Sequence, residues 1–400
     1  MQSRAMLYLE VAGRAILEVG LCLVGLLRLR PLLTPATPKK RIALQVYAVH
    51  LAQFYRPIVE ALTRDQENCE LVFMLLPHPH FSRAEQRQLR NFVQTTLGVP
   101  GTQVKPYWGC LWERFDVLVC LDVYARFPYR KTRKILLMHG PGLTRRNVDR
   151  QFFRKTVCDF DMVLVSGEAD HLLLDGFVKQ RKAPVHVSAV GFPFLDDLQR
   201  LPGSREAYLD HLGLDTERRT ILVAPSWVGL RRTEVHGIDW LAGVISSLRG
   251  LDLNILLKLH AGSFNRVMAG NVAWHPKLQQ LAASCGGRID FDIDDRPAMA
   301  HTDVLITDIS SRAFNFMLLD KPVILYWPFT APRDAWDEER LEMLQRGAQV
   351  AKTPRDIRTI LQQPYTAMRA DEQRRLVAER YFTNYGSATQ AVVALLQANS

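Results

Sequence analysis

From Arg41 onward the chain repeats one pattern: a short apolar run, a polar turn, then a stretch with apolar residues at helical spacing. The runs at 42–47, 71–76, 116–121, 135–138, 162–165 and 185–190 predict a first set of strands. Those at 221–224, 254–259, 304–307 and 323–326 predict a second. They are continuous runs of Val, Ile and Leu, as expected for strands covered on both faces. Between them, helical periodicity predicts helices over 51–63, 82–96, 168–179, 236–249, 311–319 and 371–381. Strict alternation of this kind implies parallel sheets with right-handed crossovers. Ten strands would crowd one open sheet. The pattern therefore predicts an α/β fold of two doubly wound, Rossmann-like domains, 39–195 and 196–400, dividing near 193–202. The helices after 354 either close the second domain or cross back to the first.

Residues 6–33 break the pattern, being apolar almost throughout. A spanning helix needs roughly 20 apolar residues. Here Glu10, Arg14 and Glu18 interrupt the run, and the clean stretch 19–27 is too short to cross. Acidic residues and the lack of a small-residue cleavage site disfavour a signal peptide. Arg28, Arg30, Lys39, Lys40 and Arg41 follow at once. An apolar helix with a basic exit suits a membrane-associated helix lying on anionic lipid. Packing on the protein body or at an oligomer interface is the alternative. Pro31, Pro35 and Pro38 make the link, so 1–38 stands apart from the two domains.

Composition narrows the partners. Over 400 residues, 48% apolar and 23% charged residues describe a globular chain rather than a disordered one. The net charge of +10 points to an anionic partner: nucleic acid, a membrane surface or a phosphorylated substrate. No nucleic-acid recognition motif is present, so nucleic acid is not expected. The six cysteines lack ligand spacing and imply neither a zinc site nor a disulfide framework.

Ligands of open parallel sheets bind beyond the carboxyl ends of the strands. The residues there are polar or small in both halves. In the first half they are Asp122, His139-Gly140-Pro141-Gly142, Ser166-Gly167-Glu168 and Gly191-Phe192-Pro193. In the second they are Pro225-Ser226, His260-Ala261-Gly262-Ser263 and Asp308-Ile309-Ser310-Ser311. Each alone is ordinary loop and cap chemistry. His139 differs because the basic run around it includes Arg145 and Arg146, which is either a solvated face or an anion site. A histidine near neutrality can serve as general base. Lys258 and His260 stand two apart on a strand, so both can point into a cleft. The alternative pairs Lys258 with a carboxylate and leaves His260 capping the next loop. After Asp308, Ser310 and Ser311 start a helix, and Arg312 adds charge. The free N–H groups there suit phosphate or pyrophosphate. The acidic Asp292-Ile293-Asp294-Asp295 is a weak match to a metal motif; no metal or cofactor is expected.

With these residues in place, the chain resembles the CDP-glycerol glycerophosphotransferase family, which makes teichoic-acid-like and some capsular polymers. The resemblance covers about 41–390 and is strongest at DVLITDISSRAFNFMLLDKPVILY. KLH at 258–260, HG at 139–140, GFP at 191–193 and APSW at 224–227 follow the family's order. Ala261, Ile309, Phe194 and the Pro-Gly-Leu-Thr turn after Gly140 depart from its pattern. The resemblance implies a glycosyltransferase-B fold, in agreement with two doubly wound domains. It also implies a peripheral enzyme on the cytoplasmic face of the cell membrane. The partners would be CDP-glycerol or a related nucleotide donor, a polyprenyl-linked or glycan acceptor and an anionic membrane surface. His139 would be the base, with CMP released. His260, Lys258, Ser310, Ser311, Arg312 and Asp308 would hold the donor phosphates. Gly140, Gly191, Pro193, Ser226, Arg145 and Arg146 would line the nucleotide or acceptor sites. A nucleotide-sugar transferase or epimerase on the same fold, and a non-enzymatic basic binding protein, remain as rivals.

Overall fold

A computed structural model describes residues 39–64, 68–78, 81–110, 113–123, 132–144, 157–226, 237–264, 273–329, 335–369 and 372–398. The predicted N-terminal helix, and Arg145 and Arg146, lie outside them. Among the described residues no helix is long and apolar enough to cross a membrane.

Two parallel sheets form, one per domain. The first contains β1 (Lys40–Val46), β2 (Cys69–Leu75), β3 (Val104–Pro106), β4 (Val117–Cys120), β5 (Arg133–Leu137), β6 (Met162–Val165) and β7 (His186–Ala189), in the order 3-2-1-4-5-6-7. The second contains β8 (Thr220–Val223), β9 (Asn254–Leu257), β10 (Arg288–Ile289), β11 (Val304–Thr307), β12 (Val323–Tyr326) and β13 (Gln349–Ala351), in the order 10-9-8-11-12-13. All ten predicted strands form. The three that the pattern missed, β3, β10 and β13, are edge strands of two or three residues. Each is too short and too exposed for a continuous apolar run to mark it, unlike the fourth edge strand, β7.

Both faces of each sheet are covered. Along β1, Ile42, Leu44 and Val46 enter one apolar cluster while Ala43 enters the other. Along β8, Ile221 and Val223 face one side, and Leu222 with Ala224 the other. This is the period of two of a strand buried on both faces.

The C-terminal helices settle the open question of their place. The helix Glu372–Tyr381 packs in the second domain, where buried Arg374 pairs with Asp320 at 3.0 Å. The chain then crosses back. Val392 and Leu396 of the helix Ala388–Gln397 join the first domain's core beside Ile58 and Leu62. Asp196 accepts from the backbone N–H groups of Ala388 and Thr389, at 3.1 and 2.5 Å, and so anchors the start of that helix.

Gly191 belongs to this crossing rather than to a ligand site. Its φ is +97°, and a Cβ there would run into the Thr383 carbonyl oxygen and the Ala388 side chain. Backbone strain at such a φ and overpacking each cost about 1–3 kcal/mol. Gly191→Ala is therefore expected to destabilise the fold by about 3 kcal/mol. Chemical denaturation measures this; an unchanged midpoint refutes the close crossing.

Candidate active site

The strand order of the first sheet reverses between β1 and β4, and that of the second between β8 and β11. Such reversals open a crevice at the carboxyl ends of the strands. Residues beyond both reversals line one cavity of about 650 Å³ between the domains. Its first-domain wall carries Tyr47, His50, Gln53 and Phe54 after β1, Asp122 after β4, and His139 with Gly140 after β5. Its second-domain wall carries Ser226, His260, Asp295, Ser310, Ser311 and Arg312.

The two histidines singled out by sequence hold opposite tautomers. His139 Nδ1 lies 2.5 Å from the Leu121 carbonyl oxygen. A carbonyl oxygen only accepts, so Nδ1 carries the proton and Nε2 keeps a lone pair. His260 Nδ1 instead accepts from the Gly262 N–H at 3.0 Å. Its Nε2 is then the protonated nitrogen of the neutral ring. Burial, with Arg312 nearby, pushes the His260 pKa down to about 4, so the ring is neutral at pH 7. The cavity thus holds one imidazole able to take a proton and one able to donate a hydrogen bond.

The turn after His139 is held from below. Buried Asp170 accepts from the Gly142 N–H at 3.1 Å and the Leu143 N–H at 2.7 Å. Burial raises its pKa to about 6, against the pull of those two N–H groups. Gly142, with φ +87°, leaves room for Arg340 and Phe314 of the second domain.

Of the predicted site residues, His139, Gly140, Ser226, His260, Ser310, Ser311 and Arg312 meet at the cavity. Four others do not line it. Lys258 is 1% exposed; its Nζ pairs with Asp290 at 2.9 Å and donates to the Asp292 carbonyl at 2.7 Å. It supports the wall from behind rather than reaching a phosphate. Buried Asp308 accepts from the Ser226 N–H at 2.8 Å and its hydroxyl at 2.7 Å, which fixes Ser226 at the lip. A carboxylate would in any case repel a phosphate. Gly191 serves the crossing, and Pro193 is buried at the start of a short 3₁₀ turn. Their neighbours Phe192 and Phe194 line the cavity instead.

The helix after Ser311 runs over Arg312–Leu318. Arg312 lines the cavity and pairs with Asp295 at 2.5 Å. Burial alone would push the Asp295 carboxyl up, but Arg312 and Lys258 hold it below the ordinary carboxylate range. Asp294 pairs with Arg296 at 2.7 Å. Asp294 and Asp295 are thus tied to cations of the chain itself. The Asp-Lys-Pro block is structural too: Lys321 Nζ donates to the carbonyls of Met299, Ala300 and Thr302, closing the helix Arg296–His301.

Sequence reasoning missed His50, Gln53 and Arg340. The rule that reads the residue just past a strand reaches only Tyr47 after β1. One more turn brings His50 and Gln53 to the cavity. Arg340 comes from the helix Ala335–Gln345, which follows no cavity-forming strand, so no pattern marks it.

Known proteins share this architecture. The wall teichoic acid polymerase TagF is 16% identical, with a TM-score of 0.62 over 90% of this chain and 88% of that chain. A TagF structure soaked with CDPG gives a TM-score of 0.61 with the same identity and coverage. The UDP-GlcNAc 2-epimerase from Neisseria meningitidis bound to UDP-GlcNAc is 12% identical, with a TM-score of 0.59 over 90% of this chain and 100% of that chain. At such identities the likeness shows the fold. Among curated proteins no sequence relative matches. The family described as CDP-Glycerol:Poly(glycerophosphate) glycerophosphotransferase matches residues 138–397, well over half of the chain. That match spans His139, His260 and the Ser310-Ser311-Arg312 turn, and the chain belongs to this glycerophosphotransferase family.

Proposed function

We propose that this enzyme moves glycerol phosphate from CDP-glycerol to a hydroxyl of a membrane-linked acceptor and releases CMP. The opposite tautomers of His139 and His260 carry the reading. His139 Nε2 takes the hydroxyl proton as the oxygen attacks the β-phosphorus. A new P–O bond forms, the bond to the bridging oxygen breaks, and CMP leaves with that oxygen. His260 Nε2–H, the Ser310 and Ser311 hydroxyls and Arg312 hydrogen-bond the phosphates as charge builds. Positioning and electrostatics supply most of the acceleration in phosphoryl transfer.

The charge of +10 and the apolar N-terminal run with its basic exit support a peripheral place on the cytoplasmic face of the membrane. The acceptor would belong to a teichoic-acid or capsule-type polymer.

The test offers purified protein CDP-glycerol, or UDP- and GDP-sugars, with a lipid-linked acceptor extract, and identifies the nucleotide released. CMP supports the reading; UDP or GDP in its place makes the chain a sugar transferase. A hydrogen bond to a charged group contributes about 1.5–3 kcal/mol, so Ser310→Ala or Ser311→Ala is expected to weaken donor binding at least about tenfold. Calorimetry reads this directly. Unchanged affinity in both variants removes that turn from the donor site.

A further inference from the structure

We propose that Phe314 and Arg340 of the second domain are positioning residues for His139. They press on the turn that ends at Gly142, so the base is aligned by the same short helix that meets the donor phosphates. This rests on the transferase reading and names what aligns its base.

The turn leaves β5 and is held at three points. Two belong to the first domain. His139 Nδ1–H donates to the Leu121 carbonyl, and Asp170 accepts from the Gly142 and Leu143 N–H groups. The third comes from across the cleft. A Cβ on Gly142 would run into Arg340 Nη1 and the Phe314 ring, so the bare Cα packs directly on both. Glycine accepts this contact together with a φ of +87°. Behind the contact the packing is firm. The Arg340 guanidinium stands 5.9 Å from the centre of the Phe314 ring, and that ring lies 4.4 Å from the Tyr381 ring, centroid to centroid. All three side chains are buried. A close-packed interior transmits a displacement instead of absorbing it.

One helix thereby serves two sites. It runs over Arg312–Leu318, and its first residue lines the cavity beside Ser310 and Ser311. Phe314 stands two residues further on, so it leaves the helix on another face, toward Gly142. Donor phosphates at the Ser310–Arg312 turn and the base beside Gly142 are set in register by that short piece of backbone. A misplacement of about 1 Å in such a register costs about 10²-fold in rate.

Charge adds a second hold. Asp170 is 1% exposed, and burial raises its pKa to about 6. Among the described residues, Arg340 is the cation that acts on it, and Asp170 in turn opposes the loss of charge that burial favours at Arg340. Tyr381 also faces Asp170; burial and that carboxylate push its hydroxyl up to about 12, so it stays neutral. Glu339 and Asp308 act on Arg340 as well. Removing the Arg340 charge raises the Asp170 pKa further. Near pH 6 more of the carboxyl is then neutral and holds the two N–H groups less strongly, and at pH 8 the loss is smaller.

The experiment compares Phe314→Leu and Arg340→Met with the wild type in three readouts: kcat, CDP-glycerol affinity by calorimetry, and the ring ¹⁵N shifts of His139. Both variants are expected to lose at least about tenfold in kcat and to keep donor affinity, which also reports that they are folded. His139 is expected to show the single Nδ1–H tautomer in the wild type and a mixture of tautomers in both variants. The loss in Arg340→Met is expected to be larger at pH 6 than at pH 8, and equal at the two in an Asp170→Asn background. Variants that lower Tm alone, with kcat and the tautomer unchanged, make the contact mere packing and overturn the positioning role. CMP release by the wild type then leaves the transferase reading standing. Loss of donor affinity in Arg340→Met makes that residue a donor ligand and overturns its positioning role. Wild-type protein that releases no CMP with any acceptor overturns the transferase reading, and the His139 tautomers still decide the contact.

Discussion

His139→Asn is expected to lower kcat by about 10²–10⁴-fold while CDP-glycerol affinity stays nearly unchanged. The choice of Asn follows from the geometry. Its side-chain N–H can replace Nδ1–H as donor to the Leu121 carbonyl, so the turn keeps its anchor. What disappears is the lone pair at Nε2, the group that receives the acceptor proton. Loss confined to kcat marks an interaction made in the transition state; loss in donor affinity marks one made in the ground state. Single-turnover transfer and donor calorimetry on the same variant separate the two. A variant that turns over normally removes His139 from the chemistry. A variant that fails to bind CDP-glycerol makes His139 a donor ligand instead.

The parts of this molecule legible in the sequence are those where burial imposes a pattern. Central strands must be apolar throughout, so all nine of them are found, and the edge strand β7 with them. Edge strands such as β10, with two residues, carry no such constraint. The site is legible by one rule, the chemistry just past each strand, which finds His139, His260, Ser226 and the Ser310-Ser311 turn. The rule fails in two informative ways. It cannot tell a residue that faces the cavity from one that holds the lip in place, so Asp308 and Gly191 are read as ligand residues when each positions a neighbour. It is also blind to side chains that arrive a turn later or from another helix, as His50, Gln53 and Arg340 do. A side chain's direction depends on tertiary contacts that no local pattern records.

Lys258 shows how far the two kinds of residue differ in consequence. Lys258→Met is expected to cost about 3–5 kcal/mol of stability, because it strands the buried Asp290 carboxylate without its cation. For a domain of this size that lowers Tm by about 10 °C. A phosphate ligand would behave oppositely, with weakened donor binding and little change in Tm. Asp290 also accepts from the Tyr208 hydroxyl at 2.8 Å and from the Asp292 N–H at 2.8 Å. The companion change is therefore Asp290→Asn, which removes the stranded charge, keeps its carbonyl oxygen as acceptor for the Asp292 N–H and turns its amide to donate to the Tyr208 hydroxyl oxygen. Lys258→Met combined with Asp290→Asn is expected to recover most of the lost Tm, since a buried pair exchanged for neutral groups costs far less than a broken one. Donor affinity should then track Tm, recovering in the double variant as the Asp290–Asp295 segment returns to place behind Arg312. If Tm holds in Lys258→Met and only donor binding falls, the ammonium reaches the phosphates after all. The wall behind His260 must then open to let it through.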